Sequence, residues 1–456
     1  MPNLTRKYKL IPVGDKEEVN RVYTYLRKGM EMQNVAMNQY MTALYVAQIL
    51  EASKEDRKEL NKYYSRISTN KKGSAYADNI VFPKGLATTA AIKRKVNEDF
   101  GNAMKKGLMY GRISLPTYRY DNPLLILSDF VRLRSLSLKD CGIYHKYDSP
   151  MDLINGLEKD TNPEVYIKFP DGITFKIVFG NPHKGREQRK VFENIFSETY
   201  KACGSSMEID KNGKIILNLC LEVPKHEHKL DENVIVGVDV GIAINAMCAL
   251  NNNYHIREAI GDESNLLRVK NQMNAERKRL QEGLKFSKGG HGRKKKLKAL
   301  DRLKDRERNF TQTYNHKVSN KVVEFALRHN ASQINIEDLS GFGKDRKGNV
   351  EDDKKDVLRN WCYCELQNYI TYKAQLHGII VRKVNKDYTS QTCSCCGQRG
   401  IRLSQSEFMC QNPDCKCHTL YGKYINADFN AARNIAMSTD YKQSSEKLAV
   451  DFAAGR

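Results

Sequence analysis

The hydrophobic pattern of the chain is clearest in the run Val-Ile-Val-Gly-Val-Asp-Val-Gly at residues 234–241. Such a short apolar run between polar flanks is typical of a strand buried in the centre of a sheet. Side chains alternate between the two faces of a strand, so Asp239 shares a face with Gly237 and Gly241. A lone aspartate is most often a turn or cap residue. A carboxylate inside a buried strand needs a cation or hydrogen bonds, however, so Asp239 is a candidate metal ligand.

The N-terminal half changes its hydrophobic period twice. Residues 5–13 predict a short strand, and residues 16–109 have the three- and four-residue spacing of helices, with a loop at 69–74. Later strands are predicted at 124–127, 165–169, 175–179 and 214–219. An ordinary core explains the apolar stripes of the helices, although their basic and aromatic residues would also suit contacts with bases and phosphates.

The second half alternates strands with helices, which is typical of an α/β domain. Residues 242–250 predict a partner for the first strand, and residues 263–329 predict a long basic helical stretch. Glycines beside four consecutive basic residues predict a flexible hinge within that stretch, at 287–296. A strand at 332–339 and a helix at 357–377 follow, and a glycine and another strand come after the helix.

Two further carboxylates lie at positions like that of Asp239. Glu337 lies on the face of its predicted strand opposite the apolar residues, whereas the neighbouring Asp338 is more simply a turn or cap residue. Asp428 begins a helical pattern whose apolar positions put it on the packed face of the first turn. The ordinary alternative for Asp428 is a helix N-cap.

Six of the twelve cysteines lie between residues 393 and 417. Two cysteine knuckles on either side of a spacer have the separation of a zinc ribbon, in which all four ligands come from the protein and the site is structural. The predicted ligands are Cys393, Cys396, Cys410 and Cys415. Cys417 is the alternative fourth ligand and Cys395 a weaker one, and the remaining cysteines are most simply buried small residues.

The net charge of the chain indicates which class of molecule it binds. Lys and Arg number 76 against 54 Asp and Glu, a net charge of +22. So large an excess indicates a polyanionic partner, nucleic acid before a membrane. Neither a membrane-spanning run nor a signal peptide is recognisable in the 456 residues, so we expect a soluble, intracellular protein of two to four domains.

Four motifs together resemble the split RuvC motifs and zinc ribbon of type V CRISPR effectors and their transposon-encoded TnpB relatives. They are Val-Gly-Val-Asp-Val-Gly at 236–241, Ile-Asn-Ile-Glu-Asp-Leu at 334–339, Thr-Ser-Gln-Thr-Cys at 389–393 and Asn-Ala-Asp-Phe-Asn-Ala-Ala-Arg-Asn at 426–434. The segments at 115–118, 289–293 and 360–361 resemble the miniature type V-F effectors in particular. The link at 417–423 is longer than in the family.

The resemblance implies a multidomain α+β fold. Residues 1–15 and 116–230 would form a β-rich, barrel-like wedge domain, into which a helical recognition region, 16–115, is inserted. A ribonuclease-H-like (RuvC) nuclease domain would comprise 231–388 and 425–456, interrupted by a zinc ribbon at 389–424 that binds target nucleic acid.

The resemblance also implies the chemistry of the site. Asp239, Glu337 and Asp428 would hold two Mg²⁺ or Mn²⁺ ions for phosphodiester cleavage, because oxygen ligands suit these hard cations. Arg402 corresponds to an arginine that the family places near the scissile phosphate. Zn²⁺ in the ribbon would be structural.

The implied function is an RNA-guided DNA endonuclease of the prokaryotic cytoplasm. A guide RNA pairs with double-stranded target DNA beside a short flanking motif, and two protein copies share one guide. A TnpB-like nuclease acting as a monomer with transposon-end RNA is one alternative, and a guide-independent nuclease for branched DNA is another. A non-enzymatic zinc-ribbon regulator would require the three carboxylates to be coincidental.

Overall fold

The computed structural model describes most of the chain, in two compact units that divide between Pro224 and Lys225. The described residues are 3–49, 53, 55–56, 86, 89–110, 115–119, 124–127, 141–338 (without 184, 211, 242–243, 262 and 287–288), 363–385 and 390–441 (without 405). The predicted loop at 69–74 and the Asn-Trp pair at 360–361 lie outside them. None of the described helices has an apolar stretch long enough to cross a bilayer.

The first unit contains an antiparallel sheet of eight described strands. Its strands are β1 (Asn3–Pro12), β2 (Leu124–Ile126), β3 (Gly142–His145), β4 (Val165–Lys168), β5 (Thr174–Val178), β6 (Lys201–Ala202), β7 (Ser206–Ile209) and β8 (Ile215–Glu222). Their order is β2-β7-β8-β1-β5-β4-β3, and β6 pairs with β8. The five strands predicted in this half are confirmed, and β3, β6 and β7 are additional.

Helices α1 (Lys16–Ile49) and α2 (Thr89–Tyr110) follow β1 in the chain, and α3 (Pro150–Lys159) and α4 (Arg186–Phe196) lie between later strands. The first two helices share an apolar cluster that also includes Tyr118. The backbone of Tyr118 exchanges two hydrogen bonds with the side chain of Asn38, at 2.9 and 2.7 Å. The Leu-Pro-Thr-Tyr segment is therefore anchored on α1.

The second unit is built on a mixed five-stranded sheet of order β11-β10-β9-β12-β13. The strands are β9 (Asp231–Asp239), β10 (Ala246–Leu250), β11 (Arg257–Ile260), β12 (Ala331–Glu337) and β13 (Ile380–Val384). Strands β9, β12 and β13 are parallel, whereas β10 and β11 are antiparallel to their neighbours. The charged stretch at 222–233 has the composition of a linker, but β8 and β9 extend into both of its ends and leave only residues 223–230 between them.

Helices cover both faces of this sheet. They are α5 (Glu263–Lys285), α6 (Gly290–Arg328), α7 (Tyr363–Leu376) and α9 (Ala427–Met437). Residues of β9 and β12 share a buried cluster with α6 and α7, and α9 packs on β9 and β10. A strand covered on both sides needs apolar residues at successive positions, which explains the continuous run in β9.

The zinc-ribbon segment forms a small sheet with strands β14 (Gly400–Arg402), β15 (Glu407–Cys410) and β16 (Ile425–Asn426) and a helix α8 (Lys416–Tyr421). Strand β15 pairs with both of the others, antiparallel. Because β16 leads directly into α9, the small sheet and the helix that carries Asp428 are continuous.

The predicted hinge at 287–296 is wrong for most of its length. Helix α6 begins at Gly290, so the basic residues Arg293 to Lys296 are helical. Helices α5 and α6 form an antiparallel hairpin, in which Lys270 bonds to Thr311 and, nearer the turn, Lys296 bonds to the backbone of Gly283. Two ion pairs, Glu276 with Arg306 and Glu307 with Arg277, also join the two helices.

Gly237 allows α9 to approach the central strand closely. A Cβ atom at this position would lie 2.0 Å from the carbonyl oxygen of Ala432 and 2.3 Å from the backbone nitrogen of Ala436. Both atoms belong to the helix backbone and cannot rotate away. A glycine is therefore required on this face, two residues before Asp239.

We expect Gly237→Ala to lower the free energy of unfolding by about 3 kcal/mol or more, because the methyl group forces α9 away from the sheet. Urea denaturation followed by circular dichroism measures the change. Gly283→Ala on α5, where the nearest atom lies 3.8 Å away on a flexible lysine, is the control and should be neutral or stabilising by up to about 1 kcal/mol. Equal midpoints for the two variants would contradict the close approach.

Candidate active site and metal centres

Strands β9 and β12 bring Asp239 and Glu337 to one edge of the sheet. The strands are parallel neighbours with Gly237 beside Asn335, and the two acids lie two residues further along on the same face. Neighbouring strands are about 4.8 Å apart, so the two carboxylate side chains project from adjacent positions of the sheet. This is the arrangement that the alternation of the two strands predicts.

Two buried amides hold the surroundings of these strands in place. The Nδ2 atom of Asn335 donates to the carbonyl oxygen of Ile435 at 2.9 Å, which ties the last turn of α9 to β12. The Nε2 atom of Gln367, on α7, donates to the backbone oxygen of Glu337 at 2.7 Å. The hydrophobic pattern of the sequence does not indicate a role for either amide.

Helix α9 contributes the third carboxylate from its first turn. The N-cap is Asn426, whose side chain accepts a hydrogen bond from the Phe429 backbone at 2.9 Å. The N-cap interpretation of Asp428 is therefore wrong, because the capping position is already taken. The side chain of Asp428 is 17% exposed, so it is largely buried.

The three carboxylates act on one another electrostatically. Burial, and then the negative charges of Glu337 and Asp428, raise the pKa of Asp239 well above its ordinary value, while the charge of Arg402 opposes the shift. Burial also raises the pKa of Asp428, again against Arg402. Acids that repel one another in this way fit a divalent cation, which would relieve the repulsion.

Arg402 lies against the third carboxylate. Its Nη2 atom is 3.4 Å from Oδ1 of Asp428, and its Nε donates to the backbone oxygen of Ser404 at 3.2 Å. The side chain is 36% exposed. Its guanidinium is thus partly available to a bound anion next to the acidic edge.

The four predicted zinc ligands come together in the ribbon. The sulfur atoms of Cys393, Cys396, Cys410 and Cys415 all lie within 4.8 Å of one another. The Sγ atoms of Cys393 and Cys415 are 3.7 Å apart, and those of Cys396 and Cys410 are 3.6 Å apart. Tetrahedral zinc with Zn–S bonds of about 2.3 Å separates its sulfurs by about 3.8 Å, so the cluster fits Zn²⁺.

The backbone around the cluster favours Cys415 as the fourth ligand. The Cys417 backbone N–H points at the Cys415 sulfur, 3.5 Å away. Burial acts to raise the pKa of Cys415, but hydrogen bonds from Cys417, and then from Cys396 and Cys393, lower it to about 7. Gly397, with φ of 72°, turns the first knuckle so that its N–H reaches the carbonyl oxygen of Cys393 at 2.8 Å. Thiolate formation and a tight turn are what a zinc knuckle needs.

Asn430 connects the ribbon to α9. Its Oδ1 accepts from the backbone of Ser394 at 2.8 Å, and its Nδ2 donates to the carbonyl oxygen of Thr392 at 2.7 Å. The first cysteine knuckle is therefore fastened to the helix that carries Asp428. Asn430 belongs to the motif at 426–434, but the hydrophobic period of that motif does not indicate which residues it contacts.

Comparisons with known proteins agree with this arrangement. Two family models match, "Cas12f1-like, TNB domain" over residues 363–435 and "Probable transposase" over residues 218–342. A TnpB-like protein of Methanocaldococcus jannaschii is 30% identical over 136 residues, which cover 30% of this chain and 47% of that protein. The cryo-EM structure of a Cas12f1–sgRNA–target DNA complex has a similar fold, with a TM-score of 0.58 at 20% identity over 94% of this chain and 84% of that one.

Longer sequence matches establish the family. The CRISPR-associated endodeoxyribonuclease Cas12f1 of Syntrophomonas palmitatica is 28% identical over 428 residues, covering 84% of this chain and 80% of that protein. The protein of the same name from Sulfoacidibacillus thermotolerans is 30% identical over 363 residues, 78% of each chain. On this likeness, the chain belongs to the Cas12f1 family of CRISPR-associated endodeoxyribonucleases.

Proposed function

We propose that the chain is an RNA-guided DNA endonuclease that cleaves guide-complementary double-stranded DNA beside a short flanking motif. The observation that carries the proposal is the placement of Asp239 and Glu337 at neighbouring positions of two parallel strands, where the charge of Asp428, from a helix, also acts on Asp239. The net charge of +22 suits RNA and DNA as partners. A family relative of similar fold was solved with a single guide RNA and target DNA.

The sheet order of the second unit supports one of the proposed domain roles. The order β11-β10-β9-β12-β13, with two antiparallel strands beside three parallel ones, supports a ribonuclease-H-like (RuvC) domain formed by residues 231–388 and 425–456. We assign target nucleic-acid binding to the ribbon at 389–424. The wedge domain of residues 1–15 and 116–230 and the recognition region of 16–115 would bind the guide and read the flanking motif.

Asp239, Glu337 and Asp428 fit Mg²⁺ or Mn²⁺, because they are hard oxygen ligands whose charges raise the pKa of Asp239. The chemistry that two such ions supply when bound is an activated water and a stabilised leaving oxygen. Asn335 and Gln367 would hold the ligand-bearing elements in register. Arg402 would neutralise charge on the phosphate that lies beside Asp428.

We propose Zn²⁺ as the structural ion of the ribbon. Four protein ligands close such a site, so its contribution is to the fold rather than to the reaction. The pairing of two protein copies on one guide RNA, which the family resemblance implies, stays a prediction. Location in the prokaryotic cytoplasm also stays a prediction.

Sequencing the RNA that co-purifies with the chain tests the guided function. We expect repeat-derived guide RNA, and we expect the loaded protein with Mg²⁺ to cut a complementary duplex and leave a scrambled duplex intact. Transposon-end RNA would instead indicate a TnpB-like nuclease. Cutting of branched DNA by RNA-free protein, with no gain from guide RNA, would contradict the proposal.

A further inference from the structure

A second group of metal-binding side chains adjoins the four-cysteine cluster. Cys410, Cys417 and His418 each offer a ligand atom, and these three atoms all lie within 4.8 Å of one another. Cys410 belongs to both groups. Cys417 is 1% exposed and Cys410 4%, so the two sulfurs lie in a nearly dry part of the ribbon.

The ring of His418 has one nitrogen against the backbone. Its Nε2 atom lies 2.9 Å from the backbone oxygen of Asn412. A carbonyl oxygen can only accept, so Nε2 donates, and Nδ1 of the neutral ring is the nitrogen that would bind a metal. Ligand histidines in metalloproteins commonly donate their other N–H to a carbonyl in this way, which fixes the ring for coordination.

Charge balance favours a further cation at this place. Four thiolates around one divalent ion leave two negative charges in a buried cluster, which is costly without compensation. A second divalent ion that shares Cys410, with one more thiolate from Cys417 and the neutral ring of His418, leaves only one. The simpler view of Cys417 as a buried small residue accounts for its burial but not for the orientation of His418.

We propose that the ribbon binds a second thiophilic divalent ion, of the Zn²⁺ or Cd²⁺ class, through Cys410 as a bridging thiolate, Cys417 and His418. The inference rests on the zinc ribbon of the proposed function. Three protein ligands leave one position for water, so the second ion exchanges more readily than the first. It ties α8 to the end of β15.

Metal content of the full chain tests the proposal. The protein is purified under reducing conditions, saturated with Zn²⁺, dialysed and measured by plasma mass spectrometry. We expect two zinc ions per wild-type chain and one in Cys417→Ser and in His418→Ala. Cys395→Ser is the matched control, because this cysteine lies in the same ribbon outside both groups, and it should retain two.

Each other outcome has a defined meaning. One zinc in the wild type and in both variants would overturn the second ion and leave the ribbon standing. One zinc that survives Cys415→Ser but not Cys417→Ser would overturn it as well and would make Cys417 the fourth ligand. Absence of zinc from the wild type would contradict the ribbon itself. If a variant fails to fold, Co²⁺ titration of the wild type decides, since two binding steps support the proposal and a single step refutes it.

Discussion

Asp239→Asn should abolish DNA cleavage by the guide-loaded chain, with a rate loss of at least about 10³-fold, while guide and target binding persist. The substitution preserves the shape of the side chain and removes a negative charge that two other carboxylates face. It leaves the basic helices untouched. Cleavage of a labelled duplex and a binding assay in Ca²⁺ separate the two effects.

Asp231→Asn, at the exposed first position of the same strand, is the control and should cleave like the wild type.

A second measurement, of thermal stability, is independent of activity. In a chelator, Asp239→Asn should melt at a higher temperature than the wild type, because it relieves repulsion in a buried site. Added Mg²⁺ should then stabilise the wild type and have little effect on the variant. Cleavage by Asp239→Asn within a few-fold of the wild type would contradict the assignment.

Cys410→Ser should release zinc from the ribbon and remove the activity together. Structural zinc contributes an apparent binding free energy of about 10–16 kcal/mol in zinc-finger peptides, far more than so small a sheet can replace. Because Asn430 joins the first knuckle to α9, loss of the ribbon should displace Asp428. Cleavage should fall by at least about 100-fold, since small misplacements of catalytic groups have effects of that size.

Zinc content and limited proteolysis between residues 390 and 425 measure these changes. Cys203→Ser, a half-buried cysteine of the first unit, should retain both the zinc and the resistance to protease. Full zinc content in Cys410→Ser would show that the four sulfurs are not the ligands. Full activity without zinc would instead separate the ribbon from the assembly of the active site.

The central strands could be predicted from the sequence because burial on both faces leaves a strong local signal. The continuous apolar run of β9 and the alternation in β12 gave the faces of Asp239 and Glu337 correctly. The meeting of these acids with Asp428 has no local signal. It depends on packing between elements far apart in the chain, and only the family motifs indicated it.

Short elements escaped prediction for a different reason. Strands β3, β6 and β7 have two to four residues each, too few for a period to be recognised. Helix α3 carried a recognisable start, since Ser149 caps it by accepting from the Asp152 backbone and Pro150 occupies its first turn. The Ser-Pro pair at 149–150 is therefore a sequence signal for the start of this helix.

The hydrophobic pattern of the sequence cannot predict which amide side chains are buried in the site. Asn335 occupies a polar position in an alternating strand, which predicts a solvent-facing residue as readily as an internal one. In the structure it is fully buried and bonded to the end of α9. The difference lies in the helix that covers this face, and that helix begins some ninety residues later in the sequence.

The position of α9 after the ribbon has a consequence for newly made protein. A nascent chain that has not yet emerged beyond β16 already contains the basic helical hairpin and two of the three acids. On the proposed function, such a chain would carry the positive charge that attracts nucleic acid but would lack the third metal ligand. Cleavage would then have to wait until the ribbon has folded and α9 has packed on the sheet.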